Sequence, residues 1–273
     1  MKKKNKKRVI SQILILLLML ACATVFTFSF IKIIEWYRDN RATESVIDQA
    51  QKDANLSENS DKADILGEDG AGKDDPYWSF IKMDLLQVDF SKLKQRNSDT
   101  VGWIQVKGTN INYPFVQTKN NDYYLHRSYD KSPNSAGWVF ADYRNNIKSF
   151  DKNTILYAHG RYDMTMFGSL KDALKSGWVN DSTNHMVRLS TEYENTMWQV
   201  FSVYHIPTTT DYLRISFNDK AEYGAFLNTL MQRSAHNFGT NISAEDKILT
   251  LSTCYNKQER MVLHAKLIKR QTR

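Results

Sequence analysis

Residues 248–263, ILTLSTCYNKQERMVL, decide the fold of the C-terminal part of the chain. The stretch opens with an apolar β-type run that ends at Cys254, continues through the short polar turn 255–259, and enters a second β-type run at Arg260. Two β-type runs joined by a short polar segment predict a β-hairpin. We therefore expect Cys254 and Arg260 to lie near the same mouth of a β-rich domain.

Cys254 is one of two cysteines, and the other, Cys22, lies inside an apolar N-terminal segment. If that segment spans a membrane, the rest of the chain is exported and carries a thiol without a disulfide partner, which indicates a reactive thiol or an intermolecular bond. A nearby cation stabilises a nucleophilic thiolate, and an arginine can also donate to a developing oxyanion. Cys254 is the predicted nucleophile; the alternative is a small buried cysteine with Arg260 as an ordinary surface charge.

His159 has the best setting of the six histidines for acid–base chemistry. It ends the apolar run 154–158, and Gly160 allows a sharp turn directly after it. A histidine titrates near neutrality and can serve as acid or base. The alternative is a strand-end histidine bonded to a loop carbonyl. No histidine and carboxylate cluster has zinc spacing, so we expect no metal site.

The net charge of +7 does not indicate a nucleic-acid partner, because six of the positive charges lie within residues 2–8. Residues 9–31 follow without a charge, and these 23 residues can cross a hydrocarbon core of ~30 Å. Ala21-Cys22-Ala23 resembles a signal-peptide cleavage site, but the apolar run continues to Ile34, which favours retention. Basic residues before the span place the N-terminus in the cytoplasm and the rest of the chain outside the cell membrane.

Four regions follow from composition. They are a cytoplasmic basic tail (1–8), a transmembrane signal anchor (9–34), an extracellular polar stalk (35–76) and a folded domain (77–273). Residues 38–75 are rich in Asp, Glu, Asn, Ser, Gly and Lys, and such a segment buries too little apolar surface to offset its chain entropy. The stalk is therefore expected to lack stable packing of its own.

The folded domain is predicted to be mainly β. Eight short β-type runs alternate with turn signals at 101–106, 113–117, 137–141, 154–158, 185–190, 197–205, 247–254 and 261–268. Helices are expected over 78–88, from residue 90 to 95, near 166–175 and over 220–232, where the apolar spacing fits a period of 3.6. About eight short strands indicate a barrel or a sandwich.

These residues together resemble a sortase, and in detail a class B sortase. The resemblance rests on Thr250-Leu251-Ser252-Thr253-Cys254, the arginine on the next strand and the strand-ending His159. Further matches are Gly102-Trp103-Ile104, Gly108-Thr109, Ile111-Asn112-Tyr113-Pro114, Val116-Gln117, the run 121–125, Gly137, Phe140, Asp142-Tyr143-Arg144-Asn145 and Met166-Phe167-Gly168. It covers about residues 77–270.

The resemblance implies a closed eight-stranded β-barrel with N-terminal helices and with a helix in the connection 207–246, before the cysteine strand. It implies that Cys254 attacks a Thr carbonyl in a C-terminal sorting signal, of NPxTx type, on an exported surface protein. His159 would protonate the leaving amine and later deprotonate the incoming one, while Arg260 would orient the peptide and stabilise the oxyanion. A peptidoglycan amine then resolves the thioacyl enzyme, and no cofactor is needed.

The resemblance also implies a set of residues that line the peptide groove. They are Ser252 and Thr253 beside the nucleophile, Asn121 and Leu125 on one wall, and Thr208, Tyr212 and Leu213 on the other. Each has a structural alternative: a turn Asn, a core Leu, a capping or strand Thr, a packed Tyr.

Three other functions remain open at this stage. A pilus-assembling sortase would use a protein lysine as the acceptor, and a membrane-anchored binding module would have an incidental cysteine. An L,D-transpeptidase also uses Cys and His, but Cys254 lacks its Ser-His-Gly-x-x-x-Cys context. The turn 255–259 is shorter than in many class B sortases, which leaves the acceptor amine open.

Overall fold

The structure is a computed structural model that describes residues 2–67, 76–254 and 258–273, and the side chains within these ranges except those of residues 2–8 and of Cys254. The chain divides into two compact units, Met1–Glu44 and Ser45–Arg273. Helix α1 (Lys2–Ala54) contains a window of mean hydropathy 2.6 within Val9–Ala54, so by length and composition it could cross a membrane. The apolar side chains between Val9 and Tyr37 are exposed.

The second unit contains short helices and eleven strands within the described ranges. The helices after α1 are α2 (Tyr77–Phe80), α3 (Phe90–Arg96), α4 (Ser176–Val179) and α5 (Lys220–Gln232), with 3₁₀ helices at Tyr123–Leu125, Gly168–Leu174 and Ser182–Asn184. The strands are β1 (Ser57–Asn59), β2 (Asp64–Ile65), β3 (Leu85–Gln87), β4 (Thr100–Val106), β5 (Asn112–Val116), β6 (Phe140–Ala141), β7 (Asn153–Ala158), β8 (Met186–Thr191), β9 (Glu194–Pro207), β10 (Ile248–Cys254) and β11 (Glu259–Thr272).

Strands β4 to β11 form a closed barrel, which confirms the predicted fold. Neighbours follow the order β10-β7-β6-β5-β4-β8-β9-β11, and pairing of β10 with β11 closes the ring. β10 runs parallel to β7 and β5 parallel to β6, while the other barrel pairs are antiparallel. All eight predicted β-type runs are strands, although the run 137–141 contributes only Phe140–Ala141.

The predicted helix before the cysteine strand is α5, over the predicted range 220–232. Asp219 caps its N-terminus by accepting a hydrogen bond from the Glu222 amide at 2.8 Å. The buried side chains recur at helical spacing. They are Tyr223, Phe226, Leu227 and Leu230, and they pack on β9, β10 and β11 next to Phe201, Tyr204, Ile248 and Val262.

The boundary predicted at residue 76 differs from the structure, which places residues 45–67 in the folded unit. Ala50 and Ala54 in α1 are fully buried in the main core, β1 pairs with β3, and β2 pairs with β11. The polar composition hid this packing because two alanines and two short strands suffice to dock the segment on surfaces supplied by the rest of the domain. The predicted stalk residues 68–75 lie outside the described residues.

The helix predicted over 78–88 is wrong beyond Phe80. A turn with a hydrogen bond from the Met83 amide to the Phe80 carbonyl oxygen ends the helix, and Leu85–Gln87 continue as β3. Leu85 and Leu86 are both buried because β3 has a face on each of two apolar clusters. Buried residues on both faces erase the alternation that marks a strand in sequence.

Candidate active site

The carboxyl ends of β7 and β10 and the start of β11 bring the predicted catalytic positions together. The parallel register pairs Thr253 with Ala158, so the next residues, Cys254 and His159, leave the barrel at the same edge. The antiparallel register pairs Cys254 with Arg260 across the hairpin. The backbone therefore converges at the three positions; the side chain of Cys254 and most of the predicted turn, residues 255–257, lie outside the described residues.

The imidazole of His159 is held by a loop carbonyl. Its Nε2 lies 2.7 Å from the carbonyl oxygen of Leu125, and the ring is partly exposed. A carbonyl oxygen only accepts hydrogen bonds, so Nε2 carries a hydrogen. His126, which was not assigned a role from sequence, lies next to this ring, with the two centroids 6.3 Å apart.

Gly137 allows this arrangement. It has φ +60, and a Cβ at this position would lie 2.7 Å and 2.8 Å from the carbonyl oxygens of Tyr124 and Leu125, and 3.0 Å from Cδ2 of His159. Only glycine fits such a contact without displacing its neighbours. The glycine was quoted as a family match, but its contact with the histidine has no signal in the sequence.

Arg260 is the second residue of β11, the strand that returns from the cysteine turn. It pairs with Ile206 on β9 as well as with Cys254, and its Nη1 donates to the carbonyl oxygen of Glu259 at 3.3 Å. The side chain is partly exposed, and its guanidinium carries five N–H donors. Such an arginine can bind a peptide carbonyl or an oxyanion at this edge.

The predicted groove residues on β10 are buried, and one of them meets the opposite wall. The hydroxyl of Ser252 lies 2.9 Å from that of Tyr212. Thr253 lines a small cavity of about 40 Å³ with Gly160, Arg161, Tyr162, Phe167, Gly168, Lys171 and Met261. Within the described part of the chain, its buried hydroxyl makes no hydrogen bond.

A second cavity, of about 450 Å³, is lined by two more of the predicted groove residues. Asn121 and Leu213 both line it. The remaining lining residues are Arg144, Tyr157, Thr210, Arg214, Ile215 and Ser216. Tyr157 pairs with Ser252 in the β7–β10 register, so this cavity adjoins the cysteine strand. Two larger cavities lie elsewhere on the domain.

Leu125 and Thr208 have contacts of a different kind. Leu125 is partly buried on the main core and supplies the carbonyl oxygen that binds His159. Thr208 is exposed and bonds the carbonyl oxygen of Gln258 with its amide at 2.9 Å and its hydroxyl at 3.0 Å. Thr208 thus ties the loop after β9 to the end of the cysteine turn, without reaching the cavity of Asn121.

Asp142 is a site residue that received no role from sequence. Its carboxylate is fully buried at the end of β6 and accepts hydrogen bonds from Arg144, Tyr157 and Asn121. Burial acts to raise the pKa of Asp142, but these donors and the charge of Arg144 hold it below its usual value. The run Asp142-Tyr143-Arg144-Asn145 was the available signal, although nothing in the run itself shows which partners the carboxylate would find.

The domain resembles known proteins in sequence and in structure. The sortase domain model matches residues 104–268. Sortase B of Staphylococcus aureus is 36% identical over 188 residues, 67% of this chain and 76% of that protein. Sortase B of Listeria monocytogenes is 31% identical over 249 residues, 89% of this chain and 92% of that protein.

A solved structure of a sortase B is also similar to this chain. The Staphylococcus aureus sortase B–substrate complex superposes with a TM-score of 0.62 at 37% identity, covering 66% of this chain and 84% of that one. By its matched domain, its barrel and its similarity to sortase B proteins, the chain belongs to the sortase family of cysteine transpeptidases.

Proposed function

We propose that the protein cleaves a C-terminal sorting signal after Thr, holds the surface protein as a thioacyl ester on Cys254, and transfers it to a peptidoglycan amine. The observation that carries this proposal is the meeting of residues 254, 159 and 260 at one edge of the barrel. The solved sortase B–substrate complex supports substrate binding by the same fold. The NPxTx type of signal follows from the class B resemblance.

In the first half-reaction, the thiolate of Cys254 attacks the Thr carbonyl carbon. The carbonyl becomes an oxyanion that Arg260 stabilises, and the carbon–nitrogen bond then breaks. His159 donates a proton to the leaving amine, which departs with the downstream segment. The acyl group remains on sulfur as a thioester.

In the second half-reaction, the acceptor amine attacks the thioester carbonyl. His159 takes a proton from this amine, an amide bond forms, and Cys254 leaves as a thiolate. Because Nε2 of His159 donates to Leu125, both proton transfers are assigned to Nδ1. One ring nitrogen thus orients the imidazole while the other exchanges the proton.

The N-terminal helix gives this chemistry a location. Residues 9–34 are proposed to anchor the chain in the cell membrane, with the basic residues 2–8 in the cytoplasm and the barrel outside. An enzyme held there meets exported proteins and cell-wall precursors at the same surface.

The acyl-enzyme tests the proposal directly. The full chain in detergent is incubated with a library of NPxTx peptides, and intact-mass spectrometry followed by digestion locates the adduct. We expect an acyl group on Cys254 of the unaltered chain and of the Cys22→Ala control, and none on Cys254→Ala. Peptide cleavage that persists in Cys254→Ala would remove that residue from the mechanism, and an unaltered chain that neither acylates nor cleaves any member would contradict the proposed function.

A further inference from the structure

One buried carboxylate connects three of the elements that surround the 450 Å³ cavity. Asp142 follows β6 and is fully buried. Its Oδ1 accepts from the amide of Arg144 at 3.0 Å and from Nε at 2.8 Å, and its Oδ2 accepts from Nη2 at 2.7 Å. The same Oδ2 accepts from the hydroxyl of Tyr157 at 2.9 Å and from Nδ2 of Asn121 at 3.2 Å.

Each donor belongs to a different part of the cavity wall. Tyr157 lies on β7, two residues before His159. Asn121 lies between β5 and the 3₁₀ helix that ends at Leu125, and its Oδ1 also accepts from the Tyr143 amide at 3.0 Å. Through these bonds, one carboxylate fixes the Asn121 segment against the strand that leads to the histidine.

The opposite wall is reached through the arginine. While Nε and Nη2 of Arg144 bind Asp142, Nη2 also donates to the carbonyl oxygen of Leu213 at 3.1 Å. Leu213 lies in the loop 208–219 between β9 and α5, which forms the far side of the cavity. A planar guanidinium has its donors in fixed directions. The two bonds to Asp142 therefore fix the orientation of the Arg144 side chain, and with it the position at which the Leu213 carbonyl oxygen is bound.

The charge on Asp142 is part of this arrangement. The carboxylate accepts all five of these bonds, and a proton on either oxygen would add a donor among the donors that already face it. An asparagine in its place keeps the shape but turns one acceptor into a donor that faces other donors. The substitution therefore tests the role of the charge with little change in volume.

We propose that Asp142 is a positioning residue for the transpeptidation: it sets the width of the peptide groove by holding the Asn121 segment and, through Arg144, the Leu213 loop. This inference rests on the proposed function, because it takes the cavity as part of the peptide groove. It assigns Asp142 no contact with the reacting atoms.

Two readouts on Asp142→Asn test the inference. The first is steady-state cleavage of a fluorogenic NPxTx peptide, where we expect KM to rise about tenfold while kcat stays within about threefold. The second is hydrogen–deuterium exchange, where we expect faster exchange at 118–125 and 210–216 and unchanged exchange in β4, β8 and β9. Tyr157→Phe removes one of the five bonds and should change both readouts in the same direction by less.

Asp181→Asn is the matched control. Asp181 also accepts bonds from a nearby amide and hydroxyl, those of Thr183, but it caps an exposed 3₁₀ helix away from the cavity. Asparagine caps a helix about as well as aspartate does, so this variant shows the effect of removing one carboxylate charge away from the cavity. We expect its KM and its exchange at the two segments to match those of the unaltered chain.

The possible outcomes distinguish a failure of the positioning role of Asp142 from a failure of the proposed function. Unchanged exchange at 118–125 and 210–216 in Asp142→Asn, or a uniform rise throughout the domain, overturns the positioning role whatever the activity. Faster exchange at both segments with an unchanged KM also overturns it. An unaltered chain that cleaves no peptide contradicts the proposed function instead, and the exchange experiment still decides whether Asp142 holds the two walls.

Discussion

Nε2 of His159 lies 2.7 Å from the carbonyl oxygen of Leu125, and this contact joins the proposed proton carrier to the proposed peptide groove. The carbonyl belongs to the 3₁₀ helix Tyr123–Leu125, which follows Asn121 in the chain. A shift of this turn would therefore move the groove wall and the imidazole together. The rate of the reaction should depend on how well the turn is held in place.

Gly137→Ala tests that dependence. The added Cβ would meet the carbonyl oxygens of Tyr124 and Leu125 below 3.0 Å and would also require φ +60 of a non-glycine residue. We expect the turn to move and kcat/KM for peptide cleavage to fall about 10- to 100-fold, since small misplacements of catalytic groups have effects of this size. Steady-state kinetics with a fluorogenic peptide, together with a thermal melt, measures the change.

Gly177→Ala is the control for this variant. Gly177 lies in α4, where an added Cβ has no neighbour within 4 Å among the described residues, and alanine favours a helix. Its activity should be unaltered and its stability equal or higher. Full activity in Gly137→Ala would show that the Leu125 contact does not orient His159.

Arg260 is expected to act through both its charge and its geometry. We expect Arg260→Ala to lower kcat by about 10²–10³, because the oxyanion loses a donor. Arg260→Lys keeps the charge but loses the planar arrangement of donors, so it should recover only part of the rate. Single-turnover acylation of Cys254, followed by mass spectrometry, separates this step from deacylation. Equal acylation rates in all three proteins would exclude Arg260 from the first half-reaction.

Much of the fold could be predicted from sequence because the barrel strands are apolar runs between turn signals, and α5 has a clear helical period with a cap at Asp219. The predictions failed where neighbours, rather than local sequence, decide the structure. Leu85 and Leu86 point to opposite faces of β3 and are both buried, so the strand shows no alternation of apolar and polar residues. Ala50 and Ala54 are too small to indicate from sequence that their helix packs on the core. A polar composition conceals docking of this kind.

The candidate site could be predicted in its positions but not in its contacts. The hairpin indicated that Cys254 and Arg260 would lie close together, and the sortase resemblance added His159. The strand registers bring the backbone at all three positions to one edge of the barrel. The bonds of Asp142 to Asn121 and Tyr157 span 21 and 15 residues. Contacts between residues this far apart in the chain form only when the barrel closes, and no local pattern in a single sequence predicts them.

The boundary of the folded unit leads to a prediction about truncation. Residues 45–67 supply Ala50 and Ala54 to the core, and Ser60 accepts a hydrogen bond from Lys269 on β11 at 2.9 Å. We expect a chain of residues 45–273 to be soluble and folded. A chain of residues 77–273 should melt about 5–10 °C lower, corresponding to about 2–4 kcal/mol of lost stability.

Differential scanning fluorimetry on the two truncated proteins checks this prediction. A variant of the ion pair between Arg96 and Asp53 shows how much this single contact of the segment contributes. Asp53→Asn in the longer protein should lower the melting temperature only slightly, because exposed ion pairs contribute little. Equal melting temperatures for the two truncated proteins would mean that the segment 45–67 adds no stability, in agreement with the stalk predicted from sequence.

His264 should control the stability of the barrel at mildly acidic pH. Its ring is fully buried, with Nδ1 2.9 Å from the hydroxyl of Thr250 and Nε2 2.9 Å from the hydroxyl of Tyr204. Thr250 donates its own hydrogen to Asn153, so Nδ1 of His264 carries the ring hydrogen and Nε2 accepts from Tyr204. Burial, with a smaller effect from the charge of Arg233, lowers the pKa of His264 to about 3.

A histidine that is neutral when folded and protonated when unfolded makes the unfolded state bind more protons as the pH falls. The contribution of His264 is therefore complete above its unfolded pKa of 6.5 and is lost progressively between pH 6.5 and about 3. We expect the unaltered protein to lose about 2–3 kcal/mol from this group between pH 7.5 and 4.5. Urea unfolding at a series of pH values gives the corresponding free energies.

His264→Gln isolates this contribution. Glutamine can donate and accept within the same network but does not titrate, so the variant should be less stable at pH 7.5 and lose less stability on acidification. The gap between the two proteins should narrow by about 2–3 kcal/mol at pH 4.5. Burial also lowers the pKa of His185, but this residue is present in both proteins and cancels in the difference. Parallel free-energy curves over this pH range would show that His264 is not held neutral in the folded protein.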